Sequence, residues 1–115
     1  MPTQPKLTIL NRVEFPDGYA TVMVLIENVE GAPRHTHPGL ETTYVLEGEF
    51  KLLVDGRPEQ PLRPGDWFEV PAETPHSVEN VGGKPGRALG HYVIEKDKPL
   101  TTWLQDGRTL VSALK

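Results

Sequence analysis

The sequence contains no cysteine, which excludes disulfide staples and thiolate chemistry and fits a reducing compartment. Long apolar runs are also missing. The longest, Val22-Met23-Val24-Leu25-Ile26, has five residues, far short of the ~20 that span a bilayer as a helix. The opening Met1-Pro2-Thr3-Gln4-Pro5-Lys6 lacks an apolar core of signal-peptide length, so a cytoplasmic location is expected. Basic residues are in deficit, with 12 Lys+Arg against 16 Asp+Glu and a net charge of −4. No basic run offsets that balance, and neither nucleic acid nor a membrane is expected as a partner. Nor does the chain carry a phosphate-cradling glycine loop, a dinucleotide fingerprint or Ser-His-Asp spacing.

What is present is turn chemistry between short β-branched segments. Twelve prolines and eleven glycines, with little helical periodicity, point to many short strands. The length of 115 residues suits one domain over 1–115, with a loose arm at 1–6 and a tail from 99 to 115. Strands are expected at 7–10, 19–26, 42–46, 50–54, 67–70, 76–80 and 87–95. The apolar run at 22–26 reads as a strand covered on both faces. Phe50, Leu52 and Val54 alternate toward Asp55-Gly56, a hairpin signal. The tail, with Trp103, Leu104, Leu110, Val111 and Leu114 interrupted by Gly107, forms a short helix or strand. Strands at this spacing without a long helix predict an antiparallel sandwich or barrel.

The chemistry concentrates between His35 and His76. His35-Thr36-His37 places two imidazoles on one side of a strand, since side chains alternate. Pro38-Gly39 breaks that strand, Glu41 follows, and His76 arrives after Thr74-Pro75. Three neutral imidazoles and one carboxylate form a donor set suited to one divalent transition metal: Fe, Mn, Ni, Zn, Co or Cu. An octahedral ion so held keeps two positions for substrate, water or dioxygen.

These residues resemble the cupin family. The first cupin motif corresponds to His35, His37, Glu41 and Gly48, within 31–48. The second corresponds to Gly65, Pro71, His76 and Asn80, within 65–80. Two positions depart from it: Val29 stands where the first motif begins with glycine, and Glu73 replaces the glycine of Pro-x-Gly. Such a glycine usually permits positive φ, so Glu73 implies a different turn or strain. The resemblance implies an all-β, single-domain antiparallel jelly-roll β-barrel holding a metal in its mouth. It also implies a homodimer, to which 22–26 and 7–10 would contribute.

Outside that set, Thr43 shares the inward parity of Glu41. His91 reads as a packed, hydrogen-bonded histidine, and Tyr44, Trp67, Phe68 and Tyr92 read as core. Arg34, Glu69 and Glu73 read as solvated. The functional expectation is a metal-dependent enzyme on a small oxygenated, anionic or enolisable metabolite, of dioxygenase or Lewis-acid isomerase or lyase type. Glu41, the most easily displaced ligand, is the candidate catalytic base. The alternative is a non-catalytic module that binds or senses a small molecule. A storage role is disfavoured by the small size and the intact ligand set.

Overall fold

Side-chain alternation with a period of two builds this chain into strands. The structure is a computed structural model that describes residues 5–105 and 108–111. In order, the strands are β1 (Lys6–Glu14), β2 (Tyr19–Val29), β3 (Gly31–Thr36), β4 (Leu40–Glu47), β5 (Phe50–Val54) and β6 (Gln60–Leu62). They continue as β7 (Trp67–Val70), β8 (His76–Asn80), β9 (Gly86–Glu95), β10 (Thr102–Gln105) and β11 (Arg108–Val111). No helix occurs among the described residues, and so none is long and apolar enough to cross a membrane.

Two antiparallel sheets result. One has the order β1-β2-β9-β4-β7 and the other β11-β10-β3-β8-β5-β6. Sequence neighbours are repeatedly separated between the sheets, which is the jelly-roll pattern. The sheet edges are not hydrogen-bonded into a ring, so the barrel is two facing sheets rather than a closed cylinder.

Their inner faces bury two clusters. Val45, Phe68 and Val70 of the first sheet meet Phe50, Leu52, Val54 and Leu62 of the second. Ala20, Val22, Val24, Tyr92 and Ile94 form the other cluster with Leu100, against Leu7 and Ile9. Each fully buried Leu, Val or Ile contributes about 1.5–3 kcal/mol, enough for these rows to set every strand's register. Val29, the departure from the first motif, is itself buried in the first cluster.

Several expectations need correction. Val22 and Val24 are buried, but Met23 between them is exposed, so 22–26 is covered on one face only. Tyr44 and Trp67 are 46% and 61% exposed, and they pair across β4 and β7 on the outer face. Phe68 and Tyr92 are buried as expected. His91 is exposed, because its register with Met23 and Thr42 turns it outward. The first strand begins at Lys6, which removes the arm's last residue from the arm; residues 1–4 lie outside the described ones. Within the tail, which was expected as helix or strand, Thr102–Gln105 and Arg108–Val111 are strands, β10 pairing β3 and β11. Gly107 and Leu114, singled out above, lie outside the described residues.

Candidate metal centre

Three strands and two turns deliver the donors. His35 sits near the end of β3, paired with His76 of β8 on one side and Trp103 of β10 on the other. His37 lies just past β3, where the chain crosses to the other sheet. Gly39 makes that crossing possible, because a Cβ there would lie 1.6 Å from the Val93 carbonyl oxygen. Glu41 then enters β4 facing inward, opposite Tyr92 of β9. Glu73 holds the turn before β8 at φ 58°, a left-handed conformation that costs a non-glycine residue about 1–2 kcal/mol. Its N–H donates to the His37 carbonyl at 2.8 Å, so the strained turn clamps the loop carrying that histidine. Asn80, at the end of the second motif, is structural: its Nδ2 donates to the Val29 carbonyl at 2.9 Å.

All four side chains are buried, and one donor atom from each lies within 4.8 Å of the others. Each Nδ1 is engaged by a backbone carbonyl: His35 with Pro33 at 2.6 Å, His37 with Leu100 at 2.9 Å and His76 with Thr74 at 2.9 Å. A carbonyl only accepts, so every Nδ1 carries the proton, and a ring with no second proton presents a bare Nε2 lone pair. Glu41 Oε1 lies 3.1 Å from Nε2 of both His37 and His76. The approach to His37 is out of line, and its buried Nε2 has no hydrogen-bond partner among the described residues. Lone pairs facing a carboxylate oxygen repel unless a cation lies between them. The donor set therefore fits a divalent ion, and the carbonyls are the outer partners that usually fix a metal-binding histidine.

Electrostatics agree. Burial, with the neighbouring His76 and His37, pushes His35 down from 6.5 to about 3, so its ring is neutral at any physiological pH. Burial pushes the Glu41 carboxyl up, but in the metal-free site a proton on Nε2 in place of the ion gives His37 and His76 a positive charge that outweighs it, and holds the group well below the usual carboxylate range. Glu41 Oε2 also accepts from the Thr43 hydroxyl at 2.5 Å. Burial, reinforced by the charge of Glu41, raises the Tyr92 phenol well above its ordinary value, so it stays protonated.

The four side chains are among those lining a cavity of ≈ 70 Å³ between the sheets, otherwise walled mainly by apolar side chains. At ~10–15 Å³ per water-sized group, that holds a few such groups beside an ion. No Lys or Arg lines it among the described residues. Trp103 and Tyr92 flank the histidines, each ring centroid 4.8 Å from that of His35 and His37 respectively.

The structure thus gathers His35, His37, Glu41 and His76, with Thr43 beside them. It keeps Arg34, Glu69, Glu73 and His91 out on the surface, Arg34 paired with Asp55. The segment from Leu100 to Trp103 was not legible as part of the site. Alternation of Thr101 and Trp103 after Pro99 is the one signal that marks them as a single face. Leu100 acts through its carbonyl, and a backbone acceptor leaves no trace in residue type.

Comparison with known proteins agrees with this architecture. The family profile of the cupin domain matches residues 22–94. The dimethylsulfoniopropionate lyase DddQ of Ruegeria pomeroyi is 40% identical over 57 residues, covering 50% of this chain and 28% of that protein. The cupin-domain-containing oxidoreductase fogC of Aspergillus ruber is 39% identical over 61 residues, covering 50% of this chain and 30% of its own. The chain therefore spans less than a third of the length of these two curated relatives. Among solved structures, DddQ superposes with a TM-score of 0.61 at 28% identity, over 77% of this chain and 46% of that one. Oxalate decarboxylase of Bacillus subtilis, a protein with Mn(II) centres, does so with a TM-score of 0.61 at 26% identity, over 81% and 26%. With a profile match over more than half its length and the jelly roll behind it, the chain belongs to the cupin family.

Proposed function

We propose that the chain forms one cupin domain over 1–115 and is a metal-dependent enzyme acting on a small oxygenated, anionic or enolisable molecule. His35, His37, Glu41 and His76 hold one divalent ion of Fe, Mn, Ni, Zn, Co or Cu. The observation that carries this reading is the convergence of four buried donor atoms within 4.8 Å, with every Nδ1 already engaged.

Bound there, the ion supplies a Lewis-acid centre with a net local charge near +1, and a redox centre as well if it is not Zn. The chain's own residues do the rest. The three Nε2 atoms and Glu41 would hold the ion, and the apolar walls exclude bulk water. Released as the most easily displaced ligand, Glu41 Oε1 would take the proton from the carbon beside a bound carboxylate, the C–H electron pair forming a C=C bond as the β-substituent leaves with its own bonding pair. Similarity to DddQ, by sequence and by structure, favours a lyase over a dioxygenase, since elimination needs that base and a held carboxylate.

The test is elemental analysis of protein purified without added metal or chelator. A screen of dimethylsulfoniopropionate, diketones, flavonols and catechols for metal-dependent turnover and oxygen uptake follows. Turnover without oxygen uptake supports the lyase, and uptake supports a dioxygenase. Metal-free protein that binds small molecules without turnover supports a sensing module instead.

We further propose that the protein is a homodimer joined through the outer face of the first sheet. Thr21, Val93 and Leu40 form one row across that face, Met23, His91 and Thr42 the next, and Leu25, Leu89, Tyr44 and Trp67 a third. Across β2, β9 and β4 no carboxylate, lysine or arginine interrupts these rows, and Glu69 of β7 closes the second row beside Thr42, whereas an antiparallel sheet facing water is normally polar throughout. At ~4.8 Å per strand and ~7 Å per row, these uncharged positions cover roughly 340 Å². That is about two-fifths of one partner's share of a standard interface, a portion suited to an apolar core within a charged rim. Sedimentation should find a dimer that Trp67→Glu dissociates. A monomeric wild type, or a dimer indifferent to that change, rules this face out.

A further inference from the structure

The carboxylate of Glu41 is gripped on both oxygens, and one grip leads to a residue that no ligand pattern includes. Oε1 faces His37 and His76, while Oε2 accepts the Thr43 hydroxyl proton. Thr43 has one proton, and giving it to Glu41 leaves its own oxygen free to accept. The neighbouring strand supplies a donor. In the β4–β9 register Glu41 lies opposite Tyr92, and Thr43 lies opposite Gly90. The Tyr92 ring leans over Gly90: a Cβ on that residue would lie 2.9 Å from the Tyr92 hydroxyl oxygen and 2.9 Å from the ring. The missing side chain is therefore the space that carries the phenol from its own position toward Thr43. All three polar side chains, Glu41, Thr43 and Tyr92, are buried, so none of these groups has bulk water to turn to.

We propose that Tyr92 is a positioning residue for Glu41. Its hydroxyl, carried across Gly90, donates to Thr43 Oγ1 and completes a Tyr92–Thr43–Glu41 chain that fixes which carboxylate oxygen faces the histidines. Thr43 cannot then rotate its proton away from Oε2, and Glu41 cannot swing to offer both oxygens to one partner. The phenol's raised pKa is consistent with a group that only donates. The chain deepens the metal-centre reading, and rests on it only where metal is the readout.

The experiment is a double-mutant cycle in the full chain with Tyr92→Phe, Thr43→Val and the pair. In urea unfolding of metal-free protein with chelator present, each single change should lower the folding equilibrium constant about three- to tenfold. The pair should lose little more than the worse single, because one bond of the chain is removed in both. Mn(II) is then titrated and its free signal read by electron paramagnetic resonance. Thr43→Val should weaken Mn(II) binding ~10–100-fold, as removal of an outer partner of a ligand does. Tyr92→Phe should weaken it about three- to tenfold in the wild-type background and leave it unchanged in Thr43→Val. Gly90→Ala, which displaces the ring, should behave as Tyr92→Phe. Additive losses in the unfolding cycle overturn the proposal, whatever the metal does. Coupled unfolding losses with unchanged Mn(II) affinity in Tyr92→Phe overturn it too, since Tyr92 would then not position Glu41. Wild type that binds no Mn(II) contradicts this choice of metal for the centre, and the unfolding cycle still decides the chain.

Discussion

Acidifying the metal-free protein should destabilise it in a window set by one histidine. In the unfolded chain His35 titrates near 6.5, whereas in the fold burial and its histidine neighbours push it down to about 3. Between those values the unfolded state binds a proton that the folded state refuses. Stability therefore falls as pH falls, fully preserved above 6.5 and draining until about 3. Each pH unit in the window costs about 1.4 kcal/mol, or about 2 kcal/mol by pH 5 and about 5 kcal/mol near pH 3. Those are large fractions of the ~5–15 kcal/mol that holds a domain together. Glu41 acts in the same direction but lower: its folded pKa lies well below 4.5, so its contribution begins to drain only as pH falls through about 4.5. The range from pH 5 to 6.5 thus separates His35 from Glu41. Urea unfolding at fixed ionic strength with chelator, repeated in His35→Gln, measures the difference. Wild type should lose up to about 1.4 kcal/mol per pH unit more than the variant. Equal slopes in the two proteins would refute the burial argument for His35. Added divalent metal should raise stability at neutral pH and steepen the acid loss, because protons and the ion compete for the same nitrogens.

Three other perturbations bear on the same structure. Glu41→Gln should keep the fold by circular dichroism and much of the metal, yet lower turnover ~10²–10⁴-fold, whereas His37→Ala should lower metal content sharply by elemental analysis. Glu73→Gly relieves a left-handed residue at φ 58°; after the added flexibility of the unfolded chain is subtracted, thermal unfolding should show a gain of about 0.5–1 kcal/mol. Gly39→Ala should cost about 3 kcal/mol or more, visible as insoluble expression or a large drop in melting temperature, because the new methyl meets the Val93 backbone at 1.6 Å.

The convergence of His35, His37, Glu41 and His76 was legible because each is tied to local chain geometry. Extended backbone through the end of β3 puts His35 and His37 on one side, and proline turns before Glu41 and His76 bring each back to the same end of the sheets. The strands were legible for the same reason, since Phe50, Leu52 and Val54 declare an inward face by alternation alone. Aromatic residues carry no such direction. Tyr44 and Trp67 read as core from their type, but Tyr44 lies between inward Thr43 and Val45 and must point out, taking its cross-strand partner Trp67 with it. His91 is outward because β9 pairs with both β2 and β4, a long-range register that no local pattern encodes.

Glu73 shows how local preference and site geometry are weighed. A glycine would adopt the left-handed turn without cost, so its replacement implied either a different turn or strain. The structure keeps the turn and accepts the strain, because only that conformation aims the Glu73 N–H at the His37 carbonyl. The penalty of about 1–2 kcal/mol is offset by that hydrogen bond together with the burial of His37 and the chain behind it. Relaxing Glu73 to a right-handed conformation would release the carbonyl, and with it the loop on which His37 and Gly39 sit. The turn's shape is therefore dictated by the histidine it holds rather than by the residue that forms it.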